Sequence, residues 1–281
     1  MKVFENIIEL QTELNNLVSS GSSIGFVPTM GALHEGHISL VKKSQEENDI
    51  TVVSIFVNPT QFNDKNDYLK YPRFLPKDIN KLDEVNCDIV FSPSEDVIYP
   101  EDDKREFEFD GLDKVMEGKF RPGHFRGVAL IVTKLFDIVK PNKAYFGAKD
   151  FQQVAIIKHV VEKNNIPVEI VSCQIVREED GLAMSSRNLR LNDEQRKNAA
   201  LISKCLFEIE KKKKSLSLQE TKQYVIRNIN DNPFLEVEYF DIVNEKDLNS
   251  LSDWDKEMAI RCCIAVNVGN VRLIDNIRIN F

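Results

Sequence analysis

The chain has four histidines, and two of them fall three apart in His34-Glu35-Gly36-His37, inside the longer string Pro28-Thr29-Met30-Gly31-Ala32-Leu33-His34-Glu35-Gly36-His37. Two imidazoles at that spacing can donate to the same phosphoryl oxygens. Gly31 and Gly36 let backbone come close to a ligand. Ahead of the string lies a short apolar run, Ile24-Gly25-Phe26-Val27, which reads as a buried parallel strand. Behind it, from Ile38, an amphipathic helix begins. Strand, glycine-bearing turn and helix N-terminus together make a phosphate site, because the first N–H groups of a helix have no partner within it. In an α/β sheet such turns open at the carboxyl ends of the strands, where ligands bind.

Further groups able to do chemistry recur where other predicted strands end. The β-branched run Ile50–Val57 leads into Asn58-Pro59-Thr60-Gln61-Phe62, whose polar amides face the same kind of crevice. A strand at Ala144–Phe146 ends in Gly147-Ala148-Lys149-Asp150 before a helix from Phe151 to Asn164. Lys149 there can reach phosphate as a point charge, while Asp150 either caps the helix or holds a ribose. Gln152 and Gln153 at the start of that helix read equally well as solvent-facing. Between residues 118 and 127, three cations and His124 lie among turn formers; that is either a solvated basic loop or a clamp for phosphate or carboxylate. Met184-Ser185-Ser186-Arg187 sits in a polar stretch with no regular periodicity.

The elements that position these groups follow from periodicity. Apolar positions from Phe4 to Val18 trace a helical face, and helices are expected from Ile38 to Asn48, from Lys77 to Asn86 and from Val128 to Val139. Asp88–Phe91 and Val168–Cys173 read as strands, residues 63–76 as a loop or short irregular helix, and residues 100–127 as irregular. Helix between parallel strands is a βαβ pattern with a right-handed crossover. Composition shifts near residue 176. Beyond it, helices at 193–214 and 218–230 precede three strand-like runs at 237–243, 259–266 and 272–279, the last two joined by the hairpin signal Asn267-Val268-Gly269-Asn270. The expectation is an α/β protein: a Rossmann-like, doubly wound parallel sheet over 1–176, and a smaller α+β lid domain over 177–281.

Hydrophobic residues at 42% and charged residues at 29% are ordinary for a soluble globular protein. A net charge of −8 argues against nonspecific nucleic-acid binding. No apolar run is long enough to span a membrane, and the N-terminus lacks a signal-peptide pattern, so the expected location is the cytoplasm. The five cysteines are odd in number and lack metal-type spacing, and they read as buried reduced thiols. Lys211–Lys214 reads as a solvated helix end rather than a nucleic-acid patch.

His-x-Gly-His at the first turn is the signature of the nucleotidyltransferase superfamily, and the whole string around it resembles the pantoate–β-alanine ligase (pantothenate synthetase) family. The resemblance continues in chain order through Asn58-Pro59-Thr60-Gln61-Phe62, Tyr71-Pro72-Arg73, Arg121-Pro122-Gly123-His124-Phe125, Gly147-Ala148-Lys149-Asp150-Phe151-Gln152-Gln153 and Met184-Ser185-Ser186-Arg187. The last is a form of the superfamily's Lys-Met-Ser-Lys-Ser. Ala183 stands at its first lysine and Ser186 at its second, and Arg187 restores a cation. What the resemblance implies is ATP-dependent joining of pantoate to β-alanine through pantoyl adenylate, in a cytoplasmic homodimer, with no nucleic-acid or membrane partner.

By the same resemblance His37 is the proton donor, with His34 and Lys149 beside it in catalysis. ATP would be held by residues Met30, Gly31, Ala32, Leu33, His34, Glu35, Gly36 and His37 of the first turn. Gly147, Ala148, Lys149, Asp150, Val176, Met184, Ser185, Ser186 and Arg187 would hold it further along the chain. Gln61 and Gln153, with Met30, Asn58, Arg121 and His124, would bind the substrate, and Asp78 is the carboxylate implied near Mg²⁺. Two rivals are another nucleotidyltransferase on this fold, opposed by Gln61, Gln153 and the Arg121–Phe125 string, and a regulator that has lost catalysis, opposed by intact histidines and Met184–Arg187.

Overall fold

Asn6 decides where the first helix starts. Its Oδ1 accepts from the backbone of Ile8 (2.8 Å) and Glu9 (3.3 Å), so α1 spans Ile7–Ser19. The residues before it form a strand, β1 (Lys2–Phe4), instead of the helical turn expected from Phe4. The computed structural model describes residues 1–101, 103–213, 215–255 and 257–280. In chain order the elements continue with β2 (Ile24–Thr29), α2 (Glu35–Glu47), β3 (Ile50–Ile55), α3 (Lys65–Lys70), α4 (Leu75–Glu84), β4 (Ile89–Phe91) and α5 (Glu95–Ile98). Then come α6 (Met116–Phe120), α7 (His124–Val139), β5 (Lys143–Gly147), α8 (Phe151–Lys163) and β6 (Glu169–Cys173). Last are α9 (Asp193–Lys212), α10 (Leu218–Asn230), β7 (Leu235–Asn244), β8 (Ile260–Val268) and β9 (Val271–Ile279). Of the lysines expected at the end of α9, Lys214 lies outside the described residues.

Two compact units share these elements. The first comprises Met1–Asp110, Arg121–Ala148 and Gln153–Gln174; the second comprises Gly111–Phe120, Lys149–Gln152 and Ile175–Phe281.

In the first unit six strands pair in parallel in the order β1-β4-β3-β2-β5-β6. Both faces of β2 are covered, Phe26 by residues of α1 and α7 and Val27 by residues of α2, so the strand is apolar almost throughout, Ile24, Phe26 and Val27 being at most 1% exposed. From β2 the chain runs outward through β3 and β4, then returns to the other side for β5 and β6. The switch point therefore lies between β2 and β5, and the crevice at their carboxyl ends is where such a sheet receives ligands. α7 starts at His124, earlier than the apolar run alone predicts. Gly123 supplies a left-handed turn (φ 82°), and a Cβ on Gly127 would meet the Thr60 carbonyl at 2.2 Å. Only glycine lets α7 approach the segment after β3 this closely.

The second unit is an antiparallel sheet, β7-β8-β9, with α9 and α10 packed on it around Ile202, Leu206, Val225, Ile242, Ile264 and Val266. Cys205, Cys262 and Cys263 are buried here, as Cys87 is in the first unit, and burial pushes the Cys87 thiol up to about 12.

Candidate active site

The turn after β2 is held by side chains that belong to other elements. Gly31 and Ala32 take consecutive left-handed conformations, φ 76° and 49°, the second uncommon for a residue with a Cβ. Thr29 Oγ1 donates to the Ser54 carbonyl (2.7 Å) and accepts from Gly31 N–H (3.2 Å). Asp78, on α4 and 2% exposed, accepts from Ala32 N–H at Oδ2 (2.8 Å) and from Leu33 N–H at Oδ1 (2.7 Å). Lys81, one turn further along α4, donates to the Leu33 carbonyl (2.6 Å). Burial pushes the Asp78 carboxyl up, against the pull of the two amides and of Lys81.

At this fixed turn His34 caps α2, and the two imidazoles interlock. His34 Nδ1 accepts from Gly36 N–H and His37 Nδ1 accepts from His34 N–H, both at 3.2 Å, with ring centroids 4.1 Å apart. A neutral imidazole that accepts at Nδ1 carries its proton on Nε2. The backbone thus sets one tautomer for both rings, and each has an Nε2–H donor.

Four of the substrate candidates form one hydrogen-bonded cluster with Met30. Asn58, 1% exposed, donates from Nδ2 to Gln61 Oε1 and to the Gly127 carbonyl, both at 3.1 Å, while its Oδ1 accepts from Tyr99 Oη (2.7 Å) and Thr60 Oγ1 (3.0 Å). Gln61 Nε2 donates to Met30 Sδ at 3.0 Å. Arg121, always a donor, reaches His124 Nε2 at 3.1 Å, so Nδ1 carries the proton and donates to the Gln61 carbonyl at 2.8 Å. His124 is 5% exposed; its ring links the basic loop to Gln61. Gln153, half-buried on the first turn of α8, makes none of these bonds among the described residues. A pocket of about 220 Å³ opens at Met30 and Gly31, lined also by Phe56, Tyr68, Arg73 and Asp78. Gly147 ends β5 at the switch point, and Ala148 follows it directly.

The remaining candidates lie in the second unit. Lys149 and Asp150 occupy a 3₁₀ turn, with Lys149 Nζ 3.6 Å from Asp150 Oδ1. Met184 N–H donates to the Val176 carbonyl (3.0 Å), closing a hairpin whose base pairs Arg177 with Ala183. Ser185 then caps a 3₁₀ turn, Ser186–Arg190, through Oγ accepting from Arg187 N–H (3.2 Å). Gln152 is not solvent-facing. It is 4% exposed, donates to the Leu112 (2.8 Å) and Val115 (2.9 Å) carbonyls and accepts from Glu117 N–H (2.9 Å).

Asp78, the carboxylate implied near Mg²⁺, braces the turn that carries the histidines: each of its oxygens accepts one backbone N–H from inside the protein, and no group of three or more His, Cys, Asp or Glu able to hold a metal exists among the described residues. Sequence reasoning missed that role, and Lys81 with it, because nothing local in α4 names the backbone it meets.

A family model described as pantoate-beta-alanine ligase matches residues 2–278. The chain is 53% identical over 278 residues to a pantothenate synthetase of Bacteroides thetaiotaomicron, covering 99% of each. Its fold matches that of pantothenate synthetase from Thermus thermophilus with a TM-score of 0.93 at 38% identity, over 100% of both chains. It also matches a pantoate-beta-alanine ligase from Francisella tularensis, solved with beta-gamma ATP and beta-alanine, with a TM-score of 0.84 at 39% identity, covering 99% of this chain and 97% of that one. No helix among the described residues is long and apolar enough to cross a membrane.

Proposed function

From the premise that the chain belongs to the pantoate–β-alanine ligase family, and so joins pantoate to β-alanine at the expense of ATP with release of AMP and pyrophosphate, we propose how its residues divide that work. The pantoate carboxylate attacks the α-phosphorus of ATP, pyrophosphate leaves, and pantoyl adenylate forms. The β-alanine amine then attacks the activated carbonyl carbon, loses a proton, and AMP departs.

The observation that carries this reading is the interlocked pair at the turn after β2. With Nδ1 of His34 and of His37 both accepting backbone N–H, both rings hold an Nε2–H before any substrate arrives. Donors oriented in advance stabilise charge that grows on phosphoryl oxygens without reorganising during the reaction. His37 is the proton donor toward the departing groups and His34 assists it. Lys149, Ser185, Ser186 and Arg187 hold phosphate, and the backbone around Gly31, Gly147, Val176 and Met184 receives the rest of the nucleotide. Gln61 and Gln153 bind pantoate through its hydroxyls and carboxylate, since a primary amide offers two donors and an acceptor. Met30 is the apolar wall for its methyl groups, and Asn58, His124 and Arg121 fix Gln61.

Magnesium enters as part of the substrate, MgATP, bound through the phosphates. A lid role for residues 177–281, a homodimer and a cytoplasmic location are supported by the family resemblance.

The test is pyrophosphate release from purified protein with MgATP and pantoate. A burst of pyrophosphate before β-alanine is added, followed by AMP and pantothenate once it is, is the expected result. His37→Ala should slow the burst by about 10²–10³-fold, the effect of removing one preorganised donor, while stability falls by only about 1 kcal/mol, the loss of the capping bond to His34 N–H. No pyrophosphate until β-alanine is present would overturn the adenylate route.

A further inference from the structure

Two adjacent residues on the last strand, Asp275 and Asn276, tie the two phosphate-binding segments of the second unit to one another. Asn276 donates from Nδ2 to the Lys149 carbonyl at 2.9 Å. Asp275, 3% exposed, takes both ends of the Arg177 guanidinium, 2.7 Å at Oδ2 and 2.9 Å at Oδ1. The same guanidinium reaches the Gly181 carbonyl (3.0 Å) and the Asn276 carbonyl (3.2 Å). Arg177 and Gly181 belong to the hairpin that delivers Met184-Ser185-Ser186-Arg187, and Asn188 Nδ2 closes back on the Ala183 carbonyl at 3.2 Å. A second tie runs parallel to the first. Arg261, on β8, donates to Asn276 Oδ1 at 2.6 Å and lies 4.3 Å over the ring of Phe151, two residues beyond Lys149.

We infer that Asp275 and Asn276 are positioning residues for ATP. Lys149 and Arg187 have long side chains, so their placement depends on where their backbones are fixed. A sheet strand is the stiffest element available, and a bidentate guanidinium–carboxylate pair fixes angle as well as distance. With one dipeptide holding the Lys149 carbonyl by an amide and the hairpin by an ion pair, the spacing between the two phosphate-binding backbones is set by covalent geometry. Preorganising a charged clamp in this way raises its effect on a polyanion, because no ordering remains to be done on binding. The glutamine and asparagine cluster of the first unit shares none of these bonds, so the effect is specific to ATP.

This inference rests on the assignment of Lys149 to phosphate made above, and a double-mutant cycle separates the two. Asn276→Ala, Lys149→Ala and the pair are compared by kcat/KM for ATP, with pantoate affinity by isothermal titration as the internal control. Asn276→Ala should lower kcat/KM for ATP about tenfold, the scale of one well-placed hydrogen bond, and leave pantoate affinity within about twofold. On the Lys149→Ala background the same substitution should cost almost nothing further, because the group it positions is gone. An equal loss on both backgrounds would make Asn276 a structural residue and overturn the inference. If Lys149→Ala alone leaves ATP use unchanged, the phosphate assignment fails and the inference with it. Should Asn276→Ala not fold, Asn276→Asp keeps the shape, removes the N–H donor, and runs the same cycle.

Discussion

Two polar clusters, one in each unit, are built on opposite plans. Around Gln61 every group is formally neutral except Arg121 at the rim, and one bond is weak: Gln61 Nε2 donates to the thioether of Met30. Around Glu117 the groups are charged and every bond is strong. Arg272 makes two contacts with Glu117 (2.7 and 2.8 Å) and two with Glu238 (2.6 and 2.9 Å), and Tyr239 Oη adds a bond to Glu117 at 2.8 Å. A ligand oxygen can replace a sulfur acceptor at little loss, whereas nothing entering the second cluster could better what is there. Readiness to exchange a partner suits the first to the binding role proposed for it; completeness suits the second to scaffold. Its task is to hold Gly111–Phe120 on the β7-β8-β9 sheet.

Breaking the closed cluster should give the largest effect. Arg272→Ala leaves Glu117, 6% exposed, as a buried charge without the guanidinium that faces it. Removing one partner of a buried pair costs about 3–5 kcal/mol, and the partly exposed Glu238 places the result toward the lower end. Urea unfolding measures it. A loss below about 1 kcal/mol would mean that water reaches Glu117, and the contrast between the clusters would collapse. Gln61→Ala probes the open cluster and should reverse the pattern. Stability should fall by about 1 kcal/mol, because one Asn58 N–H loses Gln61 Oε1 while the other retains the Gly127 carbonyl. Pantoate binding should weaken by about 1–3 kcal/mol with ATP affinity unaltered, both read by isothermal titration. A parallel fall in ATP affinity would move Gln61 to the nucleotide.

The same contrast explains how much of the molecule the sequence reveals. The β2 turn, the amides after β3 and the Gly147–Asp150 turn are each local: an apolar strand, a turn former and a chemical group close together in the chain. Their positions at strand ends follow from periodicity, and the parallel sheet with its small antiparallel companion follows with them. The pairing of Glu117 with Arg272 spans 155 residues, and no periodicity connects them. Gln152 reads as surface for a related reason. It lies on a helix start with polar neighbours, and only the arrival of residues 112–117 buries it. Short elements set by single side chains are also hidden. β1 is three residues long and is separated from α1 by the Asn6 cap, and α6 lies within a stretch that reads as irregular. What folds locally can be read; what is recruited across the chain cannot.

Asp78 stands between the two plans, and it yields the smallest and most discriminating effect. It is buried like Glu117, yet its partners are neutral amides rather than a cation in contact. Burial dominates, so its carboxyl sits above the ordinary aspartate value of 3.8. A raised carboxyl value means that the folded chain holds the proton more tightly than the unfolded chain does. Stability from this group is therefore complete at low pH and declines as pH rises from 3.8 through the folded value, then stays level. Asp78→Asn cannot titrate, and its amide nitrogen faces one of the two N–H donors that the carboxylate served. The variant should be destabilised by about 1 kcal/mol at neutral pH. The gap between wild type and variant should widen as the medium is acidified toward about pH 4, as followed by thermal unfolding across that range. A gap that narrows on acidification would mean that the amides outweigh burial and that the carboxyl lies below its ordinary value. The Mg²⁺ concentration needed for half-maximal activity should be the same in both proteins, because the carboxylate's task is to brace the turn. A marked rise in the variant would return Asp78 to the metal and remove it from the turn.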